Sequence, residues 1–149
     1  MREQINGALK QATLDQDRRR INTLRLIKTT IKDRDSADKK AGGEGVTEDD
    51  VVAILVKMIQ QRIISAKAFA AKDRQDMVEE EFGEIEIIKS FLPRQLDEME
   101  MHKVCVEAVR DTHAHGLRDL GKCMQTLKRR YPGQVDLGKA TQIVKQQLQ

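Results

Sequence analysis

The residues able to do chemistry are few and lie scattered along the 149 positions of this chain. Its serines are Ser36, Ser65 and Ser90, and none stands in the Gly-x-Ser-x-Gly pattern that presents a nucleophile on a sharp turn. Gly42-Gly43-Glu44-Gly45 is glycine-rich, but it lacks the preceding strand and the Gly-Lys-Ser/Thr ending of a phosphate loop, so a flexible link is predicted there. His113 and His115 are two apart, which on a helix sends them to different sides, and no Cys or carboxylate cluster completes a zinc-type spacing around them. A helix C-terminus, where the macrodipole favours cations, accounts for both. Glu79-Glu80-Glu81 with Glu84 and Glu86 reads as a solvated acidic face, because acid–base work needs a cleft. No catalytic residue, metal site or cofactor site is predicted, and the residues alone leave the enzyme question open.

The remaining chemical signal is positive charge. The chain carries 27 Lys+Arg against 24 Asp+Glu, a net +3. Residues 1–93 hold 17 basic and 17 acidic residues, so the excess lies in residues 94–149, with 10 basic and 7 acidic. The candidate nucleic-acid contacts are Lys122, Lys128, Arg129, Arg130 and Lys139. Lys128-Arg129-Arg130 ends a predicted helix, where cations are favoured in any case, so a solvated helix end explains it as well as a ligand does. Lys139 falls in the first turn of the last predicted helix, where a cation is electrostatically unfavourable. Together the five could line one rim and neutralise phosphates, a sequence-independent contact that weakens with salt.

Composition decides what positions these residues. Aromatics are 3% of the chain, with no Trp and one Tyr, which excludes a base-stacking sheet of the RRM type. Two prolines and nine glycines leave little room for the turns of a sandwich or barrel, so the fold class is all-α. Apolar spacing marks a first helix along Ile5, Ala8, Leu9 and Ala12, and a second along Ile21, Leu24, Ile27 and Ile31. Asp15-Gln16-Asp17 separates them as a turn. Thr47 with Asp50 reads as a capping box opening the longest helix, along Val51, Leu55, Met58, Ile59, Ile63, Ala66 and Ala70. Val78, Phe82, Ile85, Ile88 and Leu92 form the next stripe, within which Gly83 suggests close packing.

Pro93 stops that helix by disfavouring α geometry in the residue before it. Asp97 with Glu100 reads as a second capping box, and Asp119 and Asp136 as caps of two further helices. Four helices in residues 1–93 and a three-helix bundle in 94–149 are therefore expected. Cys105 and Cys123 fall on apolar-periodic segments and read as buried reduced thiols, although spacing leaves their pairing open. No apolar run reaches the roughly 18 residues of a membrane span. The residues after Met1 are amphipathic and not a signal core, so a cytoplasmic location is expected.

Phe91-Leu92-Pro93-Arg94-Gln95-Leu96, followed by Asp97-Glu98 and Glu100, resembles the GatB/YqeY family. Asp119-Leu120-Gly121-Lys122-Cys123-Met124 is similar to that family's Asp-Met-Gly-Lys-Val-Met signature, with apolar volume kept at both substitutions. Gly133-Gln134-Val135-Asp136, the terminal Ile143-Val144 and the early Arg25-Leu26-Ile27-Lys28 extend the resemblance over essentially the whole chain, close to the stand-alone YqeY-like proteins, and a protein of bacterial type is expected. The resemblance implies kinship with the tail of GatB, a component of the glutamine-dependent aspartyl/glutamyl-tRNA amidotransferase, which helps hold tRNA while the chemistry occurs in another domain. It thus implies a non-catalytic tRNA- or RNA-interacting accessory module, with tRNA and other protein subunits as partners and no DNA specificity. Gly121 is expected to let the bundle or its ligand approach closely. The alternatives are an accessory role in carbon–nitrogen ligase chemistry with glutamine as amide donor, or a protein-interaction module using Gln60, Gln61 and Arg62 of the long helix.

Overall fold

In the computed structural model, which describes residues 1–149, the chain folds into seven α-helices joined by short connections and has no strand. Helices α1 (Arg2–Leu14), α2 (Arg18–Lys40), α3 (Glu48–Ala71) and α4 (Gln75–Lys89) are followed by α5 (Glu98–Asp111), α6 (Leu120–Arg130) and α7 (Leu137–Leu148). A single 3-10 turn, Leu117–Asp119, leads into α6. The helices group into two compact units, Met1–Leu92 and Pro93–Gln149.

The first unit closes around Ile5 and Ala12 of α1, Leu24, Ile27 and Ile31 of α2, Val51, Ile54, Leu55 and Met58 of α3, and Ile87 and Ile88 of α4. Leu24, Ile27, Leu55 and Ile88 are wholly buried, each stabilising the fold by about 1.5–3 kcal/mol relative to exposure. The α3–α4 pair carries an ion pair, Arg62 Nε to Glu84 Oε2 at 2.8 Å, and the Arg62 side chain is only 12% exposed. Its Nη1 also donates to the Met58 carbonyl, so Arg62 is committed within the fold and does not face a partner beside Gln60 and Gln61.

Phe82 departs from the expected core stripe and is 53% exposed, whereas Ile87, which that stripe omits, is buried. The buried face of α4 runs through Val78, Ile85 and Ile88, with Glu81 half-buried between them. Phe82 is therefore turned by one residue off that row. Burial, together with the neighbouring Glu84 carboxylate, raises the Glu81 carboxyl above its ordinary range. The three atoms nearest to a Cβ at Gly83 all belong to the side chain of Arg19, an exposed residue of α2.

Both capping boxes form. Thr47 Oγ1 accepts from Asp50 N while Asp50 Oδ2 accepts from Thr47 N, and Asp97 and Glu100 do the same for α5. Arg94 adds a bidentate contact to Glu100 at 2.9 and 2.7 Å. This guanidinium and the Asp97 N–H hold the Glu100 carboxyl at about 2. A carboxyl depressed in the folded state contributes stability above its unfolded value of 4.5 and loses it as pH falls toward 2. Acidification through that window should loosen the first turn of α5, and Glu100→Gln should remove the dependence, as read by amide exchange at Asp97–Met101.

The glycine link after α2 is tied down, not loose. Gly45 N donates to Asp38 Oδ2 and Val46 N to Asp35 Oδ1, each at 2.9 Å, and Arg2 Nη2 reaches both Asp35 Oδ1 and the Val46 carbonyl. Gly45 lies at φ 105°, and a Cβ there would sit 2.6 Å from Asp35 Oδ1. Gly45→Ala should therefore destabilise the first unit by about 1–3 kcal/mol, seen as a lower urea midpoint.

Candidate nucleic-acid interface

The second unit is a three-helix bundle, each helix of which packs on the other two. Its core is Met101, Val104, Cys105 and Ala108 of α5, Cys123 and Leu127 of α6, Val135, and Ala140, Val144 and Leu148 of α7. On α6 this core fixes which cations face water. Cys123 and Leu127 point inward, so Lys122, Lys128 and Arg129 fall on the opposite side, where all three are exposed. Lys122 and Arg129 are seven residues apart, two turns along one face and about 10 Å of axial rise. None of the three has a carboxylate within ion-pair distance (4.0 Å).

Arg130 behaves differently from its neighbours. It is three residues beyond Leu127, on the inward side of α6 at its last turn, and its Nη1 meets Asp111 Oδ2 at the end of α5 at 2.8 Å. The Arg130 guanidinium, more than that of Arg110, holds the Asp111 carboxyl below its ordinary range. Arg130 thus joins α5 to α6 through a carboxylate that Arg110 also approaches, at 3.4 Å.

Lys139 lies on α7 and is exposed without an ionic partner. Its unfavourable place at a helix N-terminus is offset locally, because Asp136 Oδ1 accepts from Gly138 N at 3.0 Å and from Lys139 N at 3.2 Å. Arg118 and Lys145, which the basic stretch includes but the candidate set omits, are also exposed and free of ion pairs.

Two local expectations are corrected. Asp119 does not cap α6 with its side chain; its Oδ2 accepts from His115 N at 3.0 Å and closes the turn before the helix. That contact is the main cause of a lowered Asp119 carboxyl. Gly121 is exposed on the first turn of α6, and a Cβ added there meets nothing within 4 Å, so it serves no close approach inside the bundle.

Both cysteines are free and wholly buried. Cys105 Sγ lies 3.9 Å from the Ala140 carbonyl, and Cys123 Sγ lies 3.4 Å from Thr112 Oγ1. Burial, with a smaller contribution from the neighbouring Cys123, pushes the Cys105 thiol up to about 11. Because thiolate is the reactive form, Cys105 should resist iodoacetamide at neutral pH in the folded chain and label once denaturant opens the bundle, as mass spectrometry would show.

Curated relatives share part of this chain. A protein named "Altered inheritance of mitochondria protein 41, mitochondrial" from Clavispora lusitaniae is 36% identical over 84 residues, 56% of this chain and 46% of the relative. The protein of the same name from Saccharomyces cerevisiae is 32% identical over 88 residues, 59% of this chain and 46% of the relative. That from Kluyveromyces lactis is 35% identical over 85 residues, 56% of this chain and 43% of the relative. The chain matches less than half the length of these relatives. Their names overturn the cytoplasmic expectation, and these fungal sources do not support a bacterial type. Amphipathic residues after Met1, buried thiols and the lack of a helix able to span a membrane do not tell one compartment from another. A family model described as Yqey-like protein matches residues 2–148, which takes in both helical units, and the chain belongs to the YqeY-like family.

Proposed function

We propose that the chain is a non-catalytic accessory module that holds tRNA, or RNA of similar form, by its sugar-phosphate backbone through the second unit. The observation that carries this reading is the set of cations left without carboxylates on α6, namely Lys122, Lys128 and Arg129, with Lys139 on α7. Lysine and arginine side chains free of internal partners release counterions when they meet phosphate, whereas paired ones first give up an existing contact. Arg130 therefore acts as a strut and not as a contact, which narrows the site to four residues. The kinship of the family with the tail domain of GatB supports the same reading. An accessory place in glutamine-dependent amide transfer follows if a partner supplies the catalytic domains. The test is a titration of the pure chain with deacylated tRNA at several salt concentrations. Log affinity should fall linearly with log salt, with a slope of about −2 to −4 for three or four phosphate contacts. A chain with no measurable affinity at low salt would reduce the cluster to a solvated helix end.

A further inference from the structure

The basic segment Arg25-Leu26-Ile27-Lys28 lies far from the candidate interface in sequence, in the unit whose charges balance to zero. In the structure its Arg25 and Lys28 line a groove of about 600 Å³ between α1 and α2, within the range of small-molecule sites. Arg25, Lys28 and Lys32 follow one another at spacings of three and four residues, so they form one row along the wall of the groove. Leu9 contributes apolar surface to the same groove and Asn6 an amide, while Ile5 and Ile31 lie buried beneath its floor.

Charge in this groove is not balanced locally. The one carboxylate among its lining residues is Asp35, and it is already used by Arg2 at 3.2 Å, by Lys39 at 3.8 Å and by the Val46 N–H. The Arg2 guanidinium and the Val46 N–H keep the Asp35 carboxyl below its ordinary range, so it remains ionised and occupied. Arg25, Lys28 and Lys32 have no ion-pair partner, and successive like charges at these spacings cost a helix stability. A concave site lined by one sign of charge concentrates an anion of the opposite sign. The axial steps between the three cations are about 4.5 and 6 Å, which suits several phosphoryl groups in series better than one.

We infer that the α1–α2 groove binds a small organic polyphosphate, with its phosphoryl groups on Arg25, Lys28 and Lys32 and its apolar part against Leu9. This site is separate from the RNA-binding reading of α6 and α7 and does not depend on it. The probe is a fluorescent nucleoside triphosphate, titrated by anisotropy against the full chain. Tripolyphosphate and inorganic phosphate serve as competitors. The triple variant Arg25→Ser, Lys28→Ser, Lys32→Ser should bind the probe at least about tenfold more weakly, as loss of charged contacts requires. Lys122→Ser, Lys128→Ser, Arg129→Ser should stay close to the native affinity. All three groove positions are exposed, so unchanged helicity by circular dichroism is expected of the variant. Tripolyphosphate should compete less well than the nucleoside triphosphate, and inorganic phosphate hardly at all. Absence of saturable binding by the native chain, equal weakening in both triple variants, or equal competition by inorganic phosphate would each overturn the inference. Retention of tRNA affinity by the groove variant would keep the two sites distinct.

Discussion

Reversing charge at Lys122, Lys128 and Arg129 together should abolish tRNA binding while leaving the helices intact. The three are exposed and carry no internal ion pair, so replacing them by Glu breaks nothing in the bundle. Lys128 and Arg129, in the last turn of α6, contribute only about 0.3–1 kcal/mol each through the dipole, and Lys122, in its first turn, gains nothing from it. Binding depends on them more steeply, since losing three phosphate contacts flattens the salt slope by about 2 to 3. The same reversal at Lys10, Lys57 and Lys72 in the first unit should change affinity far less, although those residues are equally exposed. Arg130→Glu is a separate case. It places a carboxylate against Asp111 and should lower the stability of the α5–α6 contact as well as affinity. Parallel titrations of the two triple variants, each with a helicity check, decide the matter. Equal weakening in both would remove the localised site.

Leu127→Ala should unfold the second unit without unfolding the first. Leu127 is wholly buried at the centre of the bundle, among Cys105, Cys123, Ala140 and Val144. Truncating a buried Leu to Ala typically costs about 2–5 kcal/mol, because the cavity closes only in part. A unit spanning only Pro93–Gln149 has little stability to spare, since small domains bury a smaller share of their surface. Hydrogen exchange should then show lost protection along α5, α6 and α7, with α2 and α3 still protected. Binding of tRNA should disappear even though every cation is present, which separates the role of the scaffold from that of the charges. Loss of protection in both units at once would mean that they unfold as one.

Much of the helical architecture was legible because its signals are local. Thr47 with Asp50 and Asp97 with Glu100 each satisfy backbone donors three residues away, and both boxes form where their spacing places them. Asp17 and Asp136 act in the same way at α2 and α7. Departures arise where another donor competes for a side chain or where packing decides which face of a helix is buried. Asp119 has a cap's position, but the His115 N–H reaches its carboxylate first. Phe82 has a core residue's chemistry, yet the row on α4 that faces the unit's interior passes one residue to its side. The five candidate cations look equivalent in sequence, and only the packing of α5 against α6 reveals that Arg130 is paired with Asp111. The groove row of Arg25, Lys28 and Lys32 is hidden in the sequence for a similar reason. Its acidic counterweights are present in the unit's sum but not beside it.

The core of the first unit draws all its members from Met1–Leu92, with its last contributions from Ile87, Ile88, Phe91 and Leu92. A polypeptide leaves the ribosome from its N-terminus, and domains generally fold as units in that order. Once Leu92 has cleared the exit tunnel, α1 to α4 hold everything needed to bury their apolar faces, while the three-helix bundle is still being made. The growing chain therefore never has to keep both sets of apolar side chains exposed together. The short connection from Pro93 to Asp97 lies between the end of one core and the capped start of the next, so folding of the first unit need not wait for the second.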